Sequence, residues 1–151
     1  MLDRRGFLLL SGAGLLVACG GPPGAATVTV AASGTPGMNP GPDGADRPVT
    51  LTILRLRDVG AFNSADLFAL QSDPAGALAA DIVGLDQIAV APGGSGSATV
   101  SLGPDAPYLG LIALLRTPTG RVWRTSTPIA PGSTVTANVT LGPGGIALAM
   151  S

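Results

Sequence analysis

From Leu85 to the C-terminus the chain is cut into short, largely apolar segments by turn residues, and this rhythm limits what it can fold into. The segments are Leu85 to Ala91, Ala98 to Leu102, Tyr108 to Arg116, Arg121 to Thr127, Ser133 to Leu141 and Ile146 to Met150. Breaks fall at Pro92 to Gly96, Gly103-Pro104-Asp105, Thr117 to Gly120, Pro131-Gly132 and Gly142 to Gly145. Short strands at such spacing form a sandwich or a barrel. Leu109 to Leu115 is almost wholly apolar, as a central strand must be, whereas Val135, Ala137, Val139 and Leu141 alternate with polar residues, as in a strand with one wet face.

Thr27 to Ala32 also alternates and reads as the first strand. Ser33 to Pro48, with Thr35-Pro36-Gly37, Asn39-Pro40-Gly41 and Pro42-Asp43-Gly44, must be loop. It is longer than a hairpin needs, and loops of that length in small domains are usually functional or disordered. Met38 is its one sizeable apolar side chain, suited either to the sandwich edge or to a partner. Val49 to Ile53 alternates cleanly, but Leu54-Arg55-Leu56-Arg57 continues in the opposite phase, so the strand either bulges near Ile53 or is covered on both faces. A cover follows at once. Asn63 with Asp66 approximates a capping box, Phe62 and Leu67 have hydrophobic-staple spacing, and Leu67, Phe68 and Leu70 give the helix an apolar side. Asp73-Pro74 starts a second helical stretch through Ala80, with Pro at its first position.

The N-terminus carries a different message. Asp3-Arg4-Arg5 supplies a positive start, and Phe7 to Val17 is an apolar run, the order of regions in a signal peptide. The run is shorter than the roughly 20 residues of a membrane span. Leu16-Val17-Ala18-Cys19 resembles the bacterial lipobox, which places cleavage between Ala18 and Cys19 and lipid on the only cysteine of the chain. Each buried CH₂ adds about 0.8 kcal/mol, so two or three acyl chains hold a protein on a membrane. Gly20, where inner-membrane lipoproteins commonly carry Asp, points to the outer membrane and its periplasmic face. Arg4 to Leu8 also resembles a twin-arginine signal, and the same arginines serve equally as the positive start of a general secretory one. The expected organisation is a signal peptide over 1–18, a lipidated flexible tether over 19–26 and a β-domain over 27–151.

Composition narrows the chemistry. The chain has no Glu, Lys or His, which removes Ser-His-Asp and Cys-His nucleophiles, His-ligated zinc and Schiff-base lysines. With Cys19 consumed by lipid, neither a disulfide nor a thiolate catalyst is expected, and no metal or cofactor beyond that lipid. After cleavage six arginines face eight aspartates, which is no nucleic-acid footprint. Gly93 to Ser97 lacks the ending of a phosphate loop and reads as a hairpin loop. Asn138-Val139-Thr140 matches a glycosylation sequon but lies inside a strand. Trp123 and Tyr108 fill the core or its rim, and Asp58 and Asp105 read as turn residues.

Arg47 to Asp58, followed by Ala61-Phe62-Asn63-Ser64-Ala65-Asp66-Leu67-Phe68-Ala69-Leu70, resembles the TssJ (VasD) lipoproteins of bacterial type VI secretion systems. Tyr108 to Ala113 and Trp123-Arg124 extend the likeness across nearly the whole mature domain. Leu54, where an aromatic is common, and Gln71-Ser72, in place of a more acidic stretch, depart from the pattern. The resemblance implies a mainly β, two-sheet, transthyretin-like sandwich with a short helical insertion after the second strand. It also implies a structural, non-enzymatic role: anchoring on the outer membrane and binding the periplasmic C-terminal region of TssM, with no small-molecule substrate. Partner binding in this family involves the loop between the first two strands, here the segment holding Gly34, Met38, Asn39, Pro40, Asp43 and Arg47. The alternative is a periplasmic lipoprotein that binds a small ligand or an envelope glycan on its sandwich. A transthyretin-like hydrolase is disfavoured, because the hydrolytic members of that fold rely on histidines.

Overall fold

The computed structural model describes residues 24–151. The signal peptide, the Ala18–Cys19 cleavage position, Cys19 and Gly20 therefore lie outside the described residues. Among the described residues eight strands form two four-stranded sheets. Strand β1 (Ala26–Gly34) lies between β4 (Ser95–Leu102) and β7 (Thr134–Gly142), with β8 (Gly145–Met150) beyond β7. The second sheet runs β3 (Ile82–Val90), β2 (Val49–Leu56), β5 (Tyr108–Ala113), β6 (Arg124–Pro128). All pairings are antiparallel except β1 with β7, which sets Thr27 beside Thr134 and Gly34 beside Leu141 in parallel. The architecture is the sandwich alternative.

Strand alternation produces the layers. Val28 and Val30 of β1, Val139 and Leu141 of β7, Leu51 and Ile53 of β2 and Leu109 and Leu111 of β5 point between the sheets and are fully buried or nearly so. The opposite phase of β2, Leu54 and Leu56, points outward and is just as buried, because helices cover it. Double coverage thus explains the change of phase after Ile53. The register does shift, but at Arg55/Leu56, two residues later than the pattern suggests.

The cover consists of α1 (Gly60–Ser64), α2 (Leu67–Ser72), α3 (Pro74–Leu78) and a 3-10 turn (Ala79–Asp81). Phe62, Leu70 and Leu78 seat it on Leu54, Leu56 and Ile112. Its starts differ in part from the capping-box reading. Asp58 accepts the N–H groups of Val59 (2.7 Å) and Gly60 (3.2 Å), so helix begins earlier and Asn63 is an interior residue of α1. Asp66 is itself the N-cap of α2, accepting from the Ala69 N–H at 2.8 Å. Phe68 belongs to no apolar face: it is 78% exposed, because Leu70 alone of α2 is buried against the sheet. The second start is as expected, with Asp73 accepting from Gly76 N–H at 3.1 Å and Pro74 opening the helix.

Asp73→Ala should therefore lower stability by about 1 kcal/mol in chemical denaturation, the usual worth of a side-chain N-cap. Phe68→Ser should stay within about 0.5 kcal/mol of the parent, as surface changes do.

Strand ends shift modestly. The β3–β4 turn is confined to Pro92-Gly93, and Ser95 to Ser97 pair with β1, so most of the expected hairpin loop is strand. β5 stops at Ala113 because the chain folds back there, with Leu115 N–H on Ala113 O (3.0 Å), and β6 starts only at Arg124. Trp123 and Tyr108 are half-buried and pack on the cores from the rim. Asn138 donates to Ala149 O (3.2 Å) and Ser151 Oγ (3.0 Å) from within β7.

Candidate partner-binding loop

The connection from β1 to β2 emerges at the end of the sandwich opposite the start of β1, beside the β5–β6 connection and the β7–β8 hairpin. It is a built loop. Thr35 ties its start to β7, with both its N–H (2.8 Å) and its hydroxyl (3.1 Å) donating to Leu141 O. Gly34 N–H donates to Gly94 O at 3.0 Å, and a side chain at Gly34 would run into the Met38 sulfur. Met38 is fully buried and belongs to the inter-sheet core. Gly37 has φ +87°, open to glycine and costly for other residues, and packs on the Pro143 ring.

Asn39 is the hub. It is 3% exposed and all four of its polar groups are bonded. Its N–H donates to Asp46 (3.0 Å) and its carbonyl accepts from Arg47 N–H (2.8 Å). Its side chain donates to Pro48 O (3.2 Å) and accepts from Arg116 N–H (2.9 Å), joining the loop to the β5–β6 connection. Asp46 accepts a second bond from Gly37 N–H at 2.8 Å, and Pro40 bridges Asp46. Arg121 completes the frame from below, donating to Met38 O at 3.0 Å.

Beyond Pro40 the loop closes into a tip. Gly41 N–H donates to Ala45 O (2.8 Å) and Gly44 N–H to Gly41 O (3.0 Å), leaving Pro42, Asp43, Gly44 and Ala45 exposed. Asp43 accepts from Ala45 N–H (3.1 Å) and pairs with Arg47 at 3.0 Å. The Ala45 N–H and then the Arg47 guanidinium hold its carboxyl below the ordinary aspartate value. A depressed pKa means the Asp43–Arg47 contact is intact at neutral pH and is lost only as pH falls through that lowered value.

Of the six loop residues singled out by sequence, Met38 and Asn39 thus have their side chains buried inside the fold. Gly34 and Pro40 are half-buried, and Asp43 and Arg47 form the accessible tip and its brace. Sequence reasoning missed Asp46, Arg116 and Arg121; an Asp before Arg-Pro carries only a weak turn signal, and the two arginines lie too far along the chain to be linked to the loop. Among the described residues there is no cluster of three or more His, Cys, Asp or Glu able to hold a metal ion. Among the same residues no helix is long and apolar enough to cross a membrane.

Residues 26–144 match the family model described as type VI secretion lipoprotein (VasD, EvfM, TssJ). The chain is similar to the T6SS lipoprotein TssJ1 from Pseudomonas aeruginosa, at 27% identity and TM-score 0.75, over 86% of this chain and 98% of that one. It shares its fold with Serratia marcescens Lip, a membrane-bound component of the type VI secretion system, at 24% identity and TM-score 0.75, over 82% and 96% of the two chains. The fold also matches a chain in the structure of the T6SS protein TssM C-terminal domain (869-1107) from EAEC, at 23% identity and TM-score 0.66, where 82% of this chain covers 97% of that one. No curated protein sequence gives a significant match.

Proposed function

The chain belongs to the TssJ (VasD) family of type VI secretion lipoproteins, and we propose that it ties the secretion machine's membrane complex to the outer membrane by binding the periplasmic C-terminal region of TssM through the β1–β2 loop. Cys19 carries the lipid after cleavage behind Ala18, and Gly20 lets the protein pass to the outer membrane. The protein works as a tether and carries out no chemistry. Lipid fixes one end and a protein contact the other, which raises the local concentration of the partner without catalysis.

The observation that carries this reading is the direction of β1. It starts at Ala26, next to the tether, and delivers the chain to the loop at Gly34. Nine residues at a strand's rise of about 3.3 Å separate the loop from the tether's attachment by roughly 26 Å. Residues 19–25 can span at most about 25 Å more. This separation supports a loop that faces the periplasm, and its internal hydrogen bonds lower the ordering cost of binding.

The test is binding of the full chain, in detergent, to the TssM region encoded in the same genome. Removing the whole loop would delete Met38 and Asn39 from the interior, so the informative variant alters only the tip, with Pro42 and Ala45 both changed to Trp. Micromolar or tighter binding that this variant weakens at least about tenfold, with unchanged circular dichroism, is the expected result. No binding by the unaltered chain at high micromolar concentration would overturn the proposal.

A further inference from the structure

The charges of the domain are sorted by position. At the loop end the charged residues are Asp43, Asp46, Arg47, Arg116 and Arg121, an excess of one positive charge. The rest of the described chain holds Asp58, Asp66, Asp73, Asp81, Asp86 and Asp105 against Arg55, Arg57 and Arg124, an excess of three negative charges. Within the loop end most charges are already engaged. Asp46 accepts two backbone N–H groups, Arg47 pairs with Asp43, and Arg121 donates to the Gly37 and Met38 carbonyls.

Arg116 is the exception. Its backbone N–H is fixed by Asn39 (2.9 Å), which locks the position of the residue against the loop. Its side chain is exposed and makes no ion pair or hydrogen bond among the described residues. Its charge nonetheless reaches the tip, where it adds to the stabilisation of the Asp43 carboxylate. The segment around it, Thr117 to Val122, holds no acidic residue, and Val122 is 49% exposed. An arginine held at its backbone beside a hydrogen-bonded loop, with no ion pair for its guanidinium among the described residues, is placed to donate to a carboxylate from outside.

Resting on the TssM reading above, we infer that Arg116 is a partner contact, and that the segment docking at this end of the sandwich presents an acidic side chain to it. The three surplus carboxylates elsewhere on the domain repel such a segment and favour its approach to the loop end.

The test measures binding of the full chain to the TssM region at about 0.1 M and about 0.5 M salt, comparing the parent with Arg116→Glu and Arg116→Lys. Arg116→Glu should weaken binding about tenfold at the lower salt and less than about twofold at the higher, because screening shortens the reach of exposed charges. Arg116→Lys should stay within about threefold of the parent, and thermal melting should be little changed, since the side chain makes no ion pair or hydrogen bond among the described residues and reaches exposed Asp43 only through its charge. Parent binding with Arg116→Glu equal to it at low salt overturns this inference alone. A marked fall in melting temperature for Arg116→Glu would make the residue structural and overturns it too. Failure of the parent to bind overturns the TssM reading, and the inference with it.

Discussion

Phe62→Ala should cost about 3–5 kcal/mol in equilibrium unfolding, a large share of the stability of a domain this size. Phe62 is fully buried in the second core, among Leu54, Leu56, Leu70, Leu78 and Ile112. Its ring lies over Gly110, 3.4 Å from where a Cβ there would stand, so the ring fills space that no neighbour can reclaim. The helix that carries it is five residues long and has no stability of its own. What holds that helix is its packing and Arg124, whose guanidinium stacks on Trp123 at 4.5 Å, donates to Phe62 O at 2.8 Å and also reaches Ala65 O. With the backbone pinned this way, truncation leaves a cavity that cannot fully collapse. Hydrogen exchange should then speed up first across Gly60–Asp81, while the inter-sheet core exchanges only by global unfolding. A loss below about 1 kcal/mol would show that the helical layer rests on something other than this ring.

Asn39→Ala should cost about 2–3 kcal/mol. The change removes the bonds to Pro48 O and Arg116 N–H and strands both partners, one of them a backbone donor, in a part-buried site. Asn39→Asp should not rescue it, since a carboxylate keeps the acceptor for Arg116 N–H but loses the donor to Pro48 O and takes a charge out of water. Because the same side chain joins the loop to the β5–β6 connection, both variants should also raise proteolytic sensitivity between Gly34 and Pro48. Equal stability of Asn39→Ala and the parent would mean that the loop is held mainly by Met38 and Asp46.

The helical layer and the loop differ in how far sequence could reach them. Asp73-Pro74 announces a helix by itself, because an Asp side chain and a proline ring act on N–H groups within three residues. Asp66 caps α2 with the same local chemistry and Asp58 bonds the first N–H groups around the start of α1, whose N-cap is Val59, but Asn63 competes for the role, and only the packing of Phe62 shows that Asn63 lies within α1. Phe68 reads as apolar and therefore buried, yet α2 turns it to solvent, since a short helix can set only part of its circumference against a sheet.

In the loop, glycines and prolines make the absence of strand plain, and they say nothing about order. Order comes from bonds that leave the segment: Asn39 to a residue 77 positions away, and Arg121 to a carbonyl 83 positions away. No local signal encodes such pairs.

The sequence by itself determined roughly where strands run, that β2 is doubly covered or bulged, the second helical start and the absence of Glu, Lys and His side chains. Each of these follows from backbone geometry and side-chain periodicity over a few residues. Only the tertiary structure decided that β1 runs parallel to β7, that Met38 and Asn39 belong to the interior, and that Arg116 stands beside the loop with no ion pair among the described residues. Those outcomes depend on which distant surfaces meet when the two sheets close, a choice made by burial of the whole core rather than by any one stretch of chain.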